Sequence, residues 1–250
     1  MLWCPMLTIS LLVAALLAAP SPSPTVPARA PAHLLVVTVT KGYHHDTVTD
    51  LERLVTEVGA ETGAFDVDYA RTDADLAEKA SAAGLARYQG VVFASTTGDL
   101  PLPDRDALLA WIAAGHAFIG IHAATDTFHG FPAYLDMIGG EFEHHGPQAK
   151  VHVLVQDADH PATRGLEPAF DVFDEVYQFK RFDPDRVHVL LALERNPETG
   201  APGSFPLAWT RETGRGRVFY TALGHRPDVI AAPWYRAHLR GGILWALGQS

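Results

Sequence analysis

Residues 117–130 read AFIGIHAATDTFHG. The apolar run Phe118-Ile119-Gly120-Ile121 stops at His122, two alanines follow, then Thr125-Asp126, and a second histidine stands at 129. A short run of this kind reads as a strand buried on both faces. Just before it, PDRDALLAWIAAG (103–115) has a proline near its start and Gly115 at its end, which marks a helix. A helix feeding a fully buried strand that breaks at an imidazole is the local pattern from which the fold can be extended in both directions.

Towards the N-terminus, HLLVVTVT (33–40) is a continuous β-branched run and predicts a buried strand. Apolar residues at 48, 51, 54, 55 and 58 have helical spacing. FDVDYA (65–70) predicts a second strand, a helix lies around 74–86, and YQGVVFAS (88–95) predicts a third strand. Strands alternating with helices at these lengths imply an α/β fold with a mostly parallel sheet and helices on both faces. The second half is richer in strands: 150–157, 172–179, 187–194, 206–212 and 216–223, with RETGRGR as the turn between the last two. A helix over 233–249 closes the chain. These extra strands are expected to extend or flank the parallel sheet within one domain.

With 250 residues, 48% hydrophobic and 19% charged, the chain suits one generous domain or two small ones. The net charge of -10 and the lack of a dense basic cluster argue against nucleic acid or an anionic membrane surface as partner. Met6 to Ala19 is an apolar run of signal-peptide length, followed by a proline-rich linker to residue 31. It is short for a membrane span, its head lacks Lys or Arg, and proline follows Ala19. Export is the expectation, to a secreted or cell-envelope location, with cleavage between about residues 19 and 30 or retention as an anchor. The competing reading is a start-site error or a disordered arm. Cys4 precedes the run, so it is not a lipoprotein cysteine. The remaining domain, 32–250, contains no cysteine, which excludes a disulfide, a thiolate zinc site and a cysteine nucleophile there.

In open α/β sheets, ligands bind beyond the carboxyl ends of strands. Several of the histidines fall there: His44 and His45 after the first strand, His122 after the fourth, His144 and His145 after the Gly139-Gly140 turn, and His225 after GRVFYTAL. His33, His116, His152, His188 and His238 fit structural roles better. Gly120-Ile121-His122-Ala123-Ala124 has the form G-x-H-x-A, which matches a nucleophile elbow with small residues flanking a side chain on a tight turn, the nucleophile being replaced by imidazole. Asp126 would lie one turn beyond His122 and either meets it or caps a helix start.

The segments TKGYHHD (40–46), IGIHAATDTF (119–128), MIGGEFEHHG (137–146), DADHPATRGL (157–166), DEVYQF (174–179) and LAWTRETGRGRVFYTALGH (207–225), with the terminal helix, together resemble the ThuA-like, or trehalose-utilization, family. The resemblance runs over about residues 33 to 249. It implies a fold like that of class I glutamine amidotransferases, flavodoxin-like, with the cysteine elbow altered. It further implies a pocket built from His45, His122, His145, Glu175 and His225, bordered by Tyr177 and Arg217. His44 stands as the alternative to His45, and His144 to His145; His160 reads as structural.

A glutaminase needs a thiolate at the elbow, and His122 occupies that place. Neither Ser95 nor Ser204 stands in an elbow context, which argues against a serine triad. Two chemistries remain. One is metal-free acid–base catalysis with His122, Glu175 and Asp126 as the catalytic residues. The other uses a divalent metal, such as zinc, held by two or three histidines from the candidates His45, His122, His145 and His225, with or without a carboxylate and with an open position for water or a substrate oxygen, although no H-E-x-x-H motif is present. The family resemblance implies sugar catabolism, with a glycoside or a 3-keto-glycoside as the small carbohydrate substrate and a sugar dehydrogenase as pathway partner. The enzyme would be a hydrolase, lyase or isomerase; a non-catalytic carbohydrate-binding or accessory domain is the alternative. Tyr43, Phe128, Tyr177 and Trp209 could stack on a sugar ring or pack in the core. A homo-oligomer is left open.

Overall fold

Strand β1 (Ala32–Val37) sends Leu34 and Val36 into one apolar layer and Leu35 and Val37 into the other. Side chains alternate across a strand, and all four are fully buried, so a helical layer covers each face. The computed structural model describes residues 30–249 together with Met1 and Trp3. The apolar run at 6–19, Cys4 and most of the proline-rich linker lie outside the described residues.

The chain continues through α1 (Val48–Thr62), β2 (Phe65–Ala70), α2 (Asp73–Lys79), α3 (Ala82–Leu85), β3 (Gly90–Ala94), α4 (Arg105–Ala113) and β4 (Ala117–Ile121). A 3₁₀ turn at His122–Asp126 leads to α5 (Pro132–Ile138) and β5 (Glu141–His145). Then come β6 (Ala149–Val155), β7 (Ala169–Asp174), β8 (Tyr177–Lys180), β9 (His188–Arg195), β10 (Pro202–Thr213), β11 (Gly216–Thr221), α6 (Pro227–Ile230) and α7 (Pro233–Ala246).

The large sheet has the order β2-β1-β3-β4-β11-β10-β9-β6-β7. β2, β1, β3, β4 and β11 are mutually parallel, while β10, β9, β6 and β7 extend the sheet antiparallel. This is the α/β architecture expected from the alternating pattern, with the later strands continuing the same sheet. Residues of α1, α6 and α7, such as Leu51, Ile230 and Leu239, fill the layer with Leu34. Residues of α2 to α5, such as Leu76, Leu85, Leu108 and Tyr134, fill the layer with Leu35.

Three expected elements differ. The helix around 74–86 is two helices, because the Ser81 side chain accepts the Gly84 N–H and caps a new start. The strand expected over 172–179 is cut at Glu175–Val176, and its halves join different sheets. Glu141–His145, read as sequence following a turn, is a strand that pairs antiparallel with β8 in a small second sheet.

Candidate functional site

At the carboxyl end of β4 the chain turns abruptly, and His122 adopts φ +50°, a left-handed backbone that L-residues other than glycine rarely take. Its neighbours hold it there. The His122 Nδ1–H donates to the Ala222 carbonyl at 2.7 Å, and the Tyr220 hydroxyl donates to the His122 carbonyl at 2.7 Å. The same hydroxyl meets Thr125 Oγ1 at 3.0 Å, and Tyr134 donates to the Ala124 carbonyl at 2.8 Å. A Cβ on Gly120 would lie 3.0 Å from the Tyr220 ring and 3.2 Å from Ala124 Cβ, so the small residues of G-x-H-x-A answer a close approach. Because a carbonyl can only accept, Nδ1 carries a proton, and Nε2 is the ring atom left to face the pocket.

His122 Nε2 points into a cluster. The loop after β1 brings His45 Nε2 to 3.1 Å from His122 Nε2. The turn after β11 brings His225 Nδ1 to 3.3 Å from the same atom. Glu175, in the break between β7 and β8, places Oε2 3.4 Å from His122 Nε2 and 3.3 Å from His225 Nδ1. Burial, with the neighbouring His122 and His225, pushes His45 down to about 3. Burial alone would raise the Glu175 carboxyl, but hydrogen bonds and charge from His122 and His225 hold it well below the usual carboxylate range. The Glu175 hydrogen bond raises His225 in return, against its burial. Beneath them, the fully buried Asp174 accepts the Gly224 N–H at 2.8 Å and fixes the turn that carries both the Ala222 carbonyl and His225. Burial raises the Asp174 carboxyl.

The donor set fits a divalent first-row ion. His45, His122, Glu175 and His225 each offer one donor atom, all within 4.8 Å of one another. Ligands ~2.0–2.1 Å from a tetrahedral zinc are separated by about 3.3–3.4 Å. The four short separations above are 3.1, 3.3, 3.4 and 3.3 Å, whereas charged hydrogen bonds would close to about 2.7–2.9 Å. Orientation of a ring by a carbonyl on its far nitrogen, as Ala222 does for His122, is the usual outer support of a metal-binding histidine.

A family model described as ThuA, trehalose utilisation, matches residues 33–246. The chain belongs to the ThuA family. Among solved structures, a ThuA-like protein from Parabacteroides merdae is 20% identical with a TM-score of 0.70, covering 87% of this chain and 90% of that one. A ThuA-like protein from Bacteroides uniformis is 21% identical with a TM-score of 0.69, covering 90% and 95%. A β-galactosidase from Bacillus circulans shares the fold over 89% of this chain and 31% of its own, at 13% identity and a TM-score of 0.55. No curated protein matches this chain. The ThuA-like neighbours are of the glutamine amidotransferase-like type, the fold expected above.

In this ThuA-family chain the remaining predicted residues fall at different distances from the cluster. His145, on β5, does not join the set of four; its Nε2 lies 3.4 Å from Glu175 Oε1, the carboxylate's other oxygen. Its exposed neighbour His144 turns to Glu198 at 3.2 Å, and the exposed His44 turns to Thr40. The paired histidines are thus resolved in favour of His45 and His145 as the residues that face the pocket. Asp126 neither meets His122 nor caps a helix: the 3₁₀ turn begins without a side-chain cap, and Asp126 Oδ1 accepts from His129 Nε2 at 2.6 Å. Arg217 does not border the pocket, because it lies near the opposite end of β11 and donates to the Trp245 carbonyl. Phe128 and Trp209 are core residues, 1% and 0% exposed. Ser95, outside any elbow motif in sequence, nevertheless has φ +52° at the end of β3, where its N–H donates to the Ile121 carbonyl.

Two cavities flank the cluster and share Tyr43 and His45. One, about 300 Å³, is lined by these two with Asp126, Phe142, His145, Glu175 and Tyr177. The other, about 200 Å³, adds Asp46, Thr47, Gln148, His225, Arg226 and Pro227. A cavity of about 310 Å³ beside Lys150, Leu193 and Arg195 contains none of the clustered donors. Sequence reasoning missed Phe142, Gln148 and Arg226, whose isolated side chains carry no motif.

Proposed function

We propose that this ThuA-family protein is a sugar-processing enzyme that acts on a glycoside or, preferentially, a 3-keto-glycoside. The observation that carries the proposal is the convergence of His45, His122, Glu175 and His225, two of which, His45 and Glu175, line a cavity walled by Tyr43, Phe142 and Tyr177. Aromatic walls suit the apolar faces of a sugar ring, and the donor set suits a divalent ion such as zinc. A bound ion would supply a positive centre for the oxygen of a substrate carbonyl.

The residues divide the remaining work. His145 Nδ1 donates to the Gly146 carbonyl at 2.8 Å, so the neutral form of the ring would present Nε2 as an acceptor at the cavity wall. From there it can take the proton on the carbon beside the keto group, and the Glu175 carboxylate stabilises the resulting imidazolium. The electron pair of the broken C–H bond forms the enolate; as the ketone re-forms, that pair becomes a carbon–carbon double bond to the anomeric carbon, and the glycosidic C–O bond breaks with its electrons on oxygen. The departing oxygen takes back one proton from the imidazolium. His122 is the centre of the arrangement, since both His45 and His225 are placed against its Nε2. A 3-keto substrate must come from a dehydrogenase acting on the parent sugar. A secreted or cell-envelope location, suggested by the apolar run at 6–19, belongs to the same proposal.

The test is turnover of methyl 3-keto-glucoside against methyl glucoside by the wild-type protein and His122→Ala. The expected result is turnover of the keto-sugar, with a loss of roughly 100-fold or more in the variant. Equal activity of the two proteins would exclude His122 as the centre.

A further inference from the structure

We propose that Asp126, held in place by His129, is a specificity-determining residue that accepts a hydrogen bond from a ring hydroxyl of the sugar. This rests on the reading above that a sugar occupies the cavity. Asp126 lines that cavity and bonds to His129, not to any residue of the cluster. Its backbone carbonyl already accepts the Gly98 N–H at 2.8 Å, so the loop does not need its side chain for closure. Oδ1 is taken by His129 Nε2 at 2.6 Å, and no described residue donates to Oδ2. His129 is itself clamped on its other face, where Nδ1 donates to Glu141 Oε1 at 2.8 Å.

Glu141 is buried, and it also meets Lys180 Nζ at 3.1 Å and Arg181 Nε at 2.9 Å. Carboxylates on both ring nitrogens require both to carry hydrogen, so His129 is an imidazolium; its burial is outweighed and its pKa raised. A charged chain, Asp126–His129–Glu141 with Lys180 and Arg181, therefore ends at Asp126, which lines the cavity and keeps one carboxylate oxygen uncommitted among the described residues. Hydrogen bonds from a hydroxyl to an ionised acceptor are among the stronger ones available to a neutral sugar.

The experiment compares wild type, Asp126→Ala, Asp126→Asn, His129→Gln and His129→Asn. Three quantities are measured: KM and kcat for methyl 3-keto-glucoside, calorimetric affinity for methyl glucoside, and zinc affinity. Asp126→Ala and Asp126→Asn are expected to raise KM and weaken sugar binding about 10- to 100-fold, with zinc affinity unchanged. Glutamine at 129 keeps an amide donor near the place of Nε2 and should retain most of the wild-type KM. Asparagine keeps a donor only near Nδ1, facing Glu141, and should behave like Asp126→Ala. Unchanged KM and sugar affinity in both Asp126 variants would overturn the proposal while leaving the wild-type turnover, and the functional reading, intact. Rescue by asparagine and not by glutamine would also overturn it, since His129 would then serve only to clamp Glu141. No sugar binding or turnover by wild type would overturn both readings together.

Discussion

His122 pays for its position with backbone strain, and the residues around it are chosen accordingly. A left-handed L-residue costs about 1–2 kcal/mol relative to the right-handed form, and glycine escapes most of it. His122→Gly should therefore be more stable than His122→Ala by about 1 kcal/mol in urea unfolding, although both lose the Ala222 hydrogen bond. Tyr220 is the main brace, fully buried and bonded to the His122 carbonyl. Tyr220→Phe leaves that carbonyl short of a donor and should cost about 1–3 kcal/mol in the same measurement. The elbow was legible because G-x-H-x-A follows a buried strand. The partner of Asp126 was not: spacing along a helix pointed to His122, but the segment is a 3₁₀ turn that ends after Asp126. The chain then doubles back and brings His129 to it.

Among the elements, the small β5–β8 sheet carries the outer wall of the cavity, with Phe142, His145 and Tyr177 on it. Glu141 anchors it to the elbow through His129, and to its own partner strand through Lys180. Glu141→Gln should speed hydrogen exchange in residues 141–145 and 177–180 while the amides of β1, β3 and β4 stay protected. Uniform loss of protection across both sheets would show instead that Glu141 supports the whole fold. This sheet was not legible in sequence. EFEHH alternates too weakly to announce a strand, and VFDEVYQF carries no glycine or proline to mark its break. What cuts that run is tertiary: Asp174 bonds the β11 turn, and Glu175 turns inward to the imidazoles. The parallel strands were plain because both faces are apolar, so burial and pattern agree.

For the molecule as a whole, acid sensitivity should come in part from histidines far from the site. His238 is fully buried between the sheet and α7, with Nδ1–H donated to the Ala162 carbonyl, and burial pushes it down to about 4. His160, buried nearby, is likewise pushed down to about 4 by burial. An unfolded histidine takes a proton near 6.5, so between about 6.5 and 4 the unfolded chain binds protons that the native one refuses. Their stabilising contribution is complete above that window and is lost as pH falls through it. His238→Asn should flatten the decline of urea stability across this window by about one proton, and an unchanged slope would count against the buried neutral imidazole. The overall architecture and the histidines at strand ends were readable from sequence; their assembly into a single centre depends on loops meeting above five parallel strands. The most direct measurement is therefore zinc calorimetry on protein purified without a histidine tag. One ion per chain is predicted for wild type and for His144→Ala, with binding lost or greatly weakened in His45→Ala, His122→Ala and His225→Ala. Absence of zinc binding in wild type, or its full retention in those three variants, would contradict a metal centre at His122.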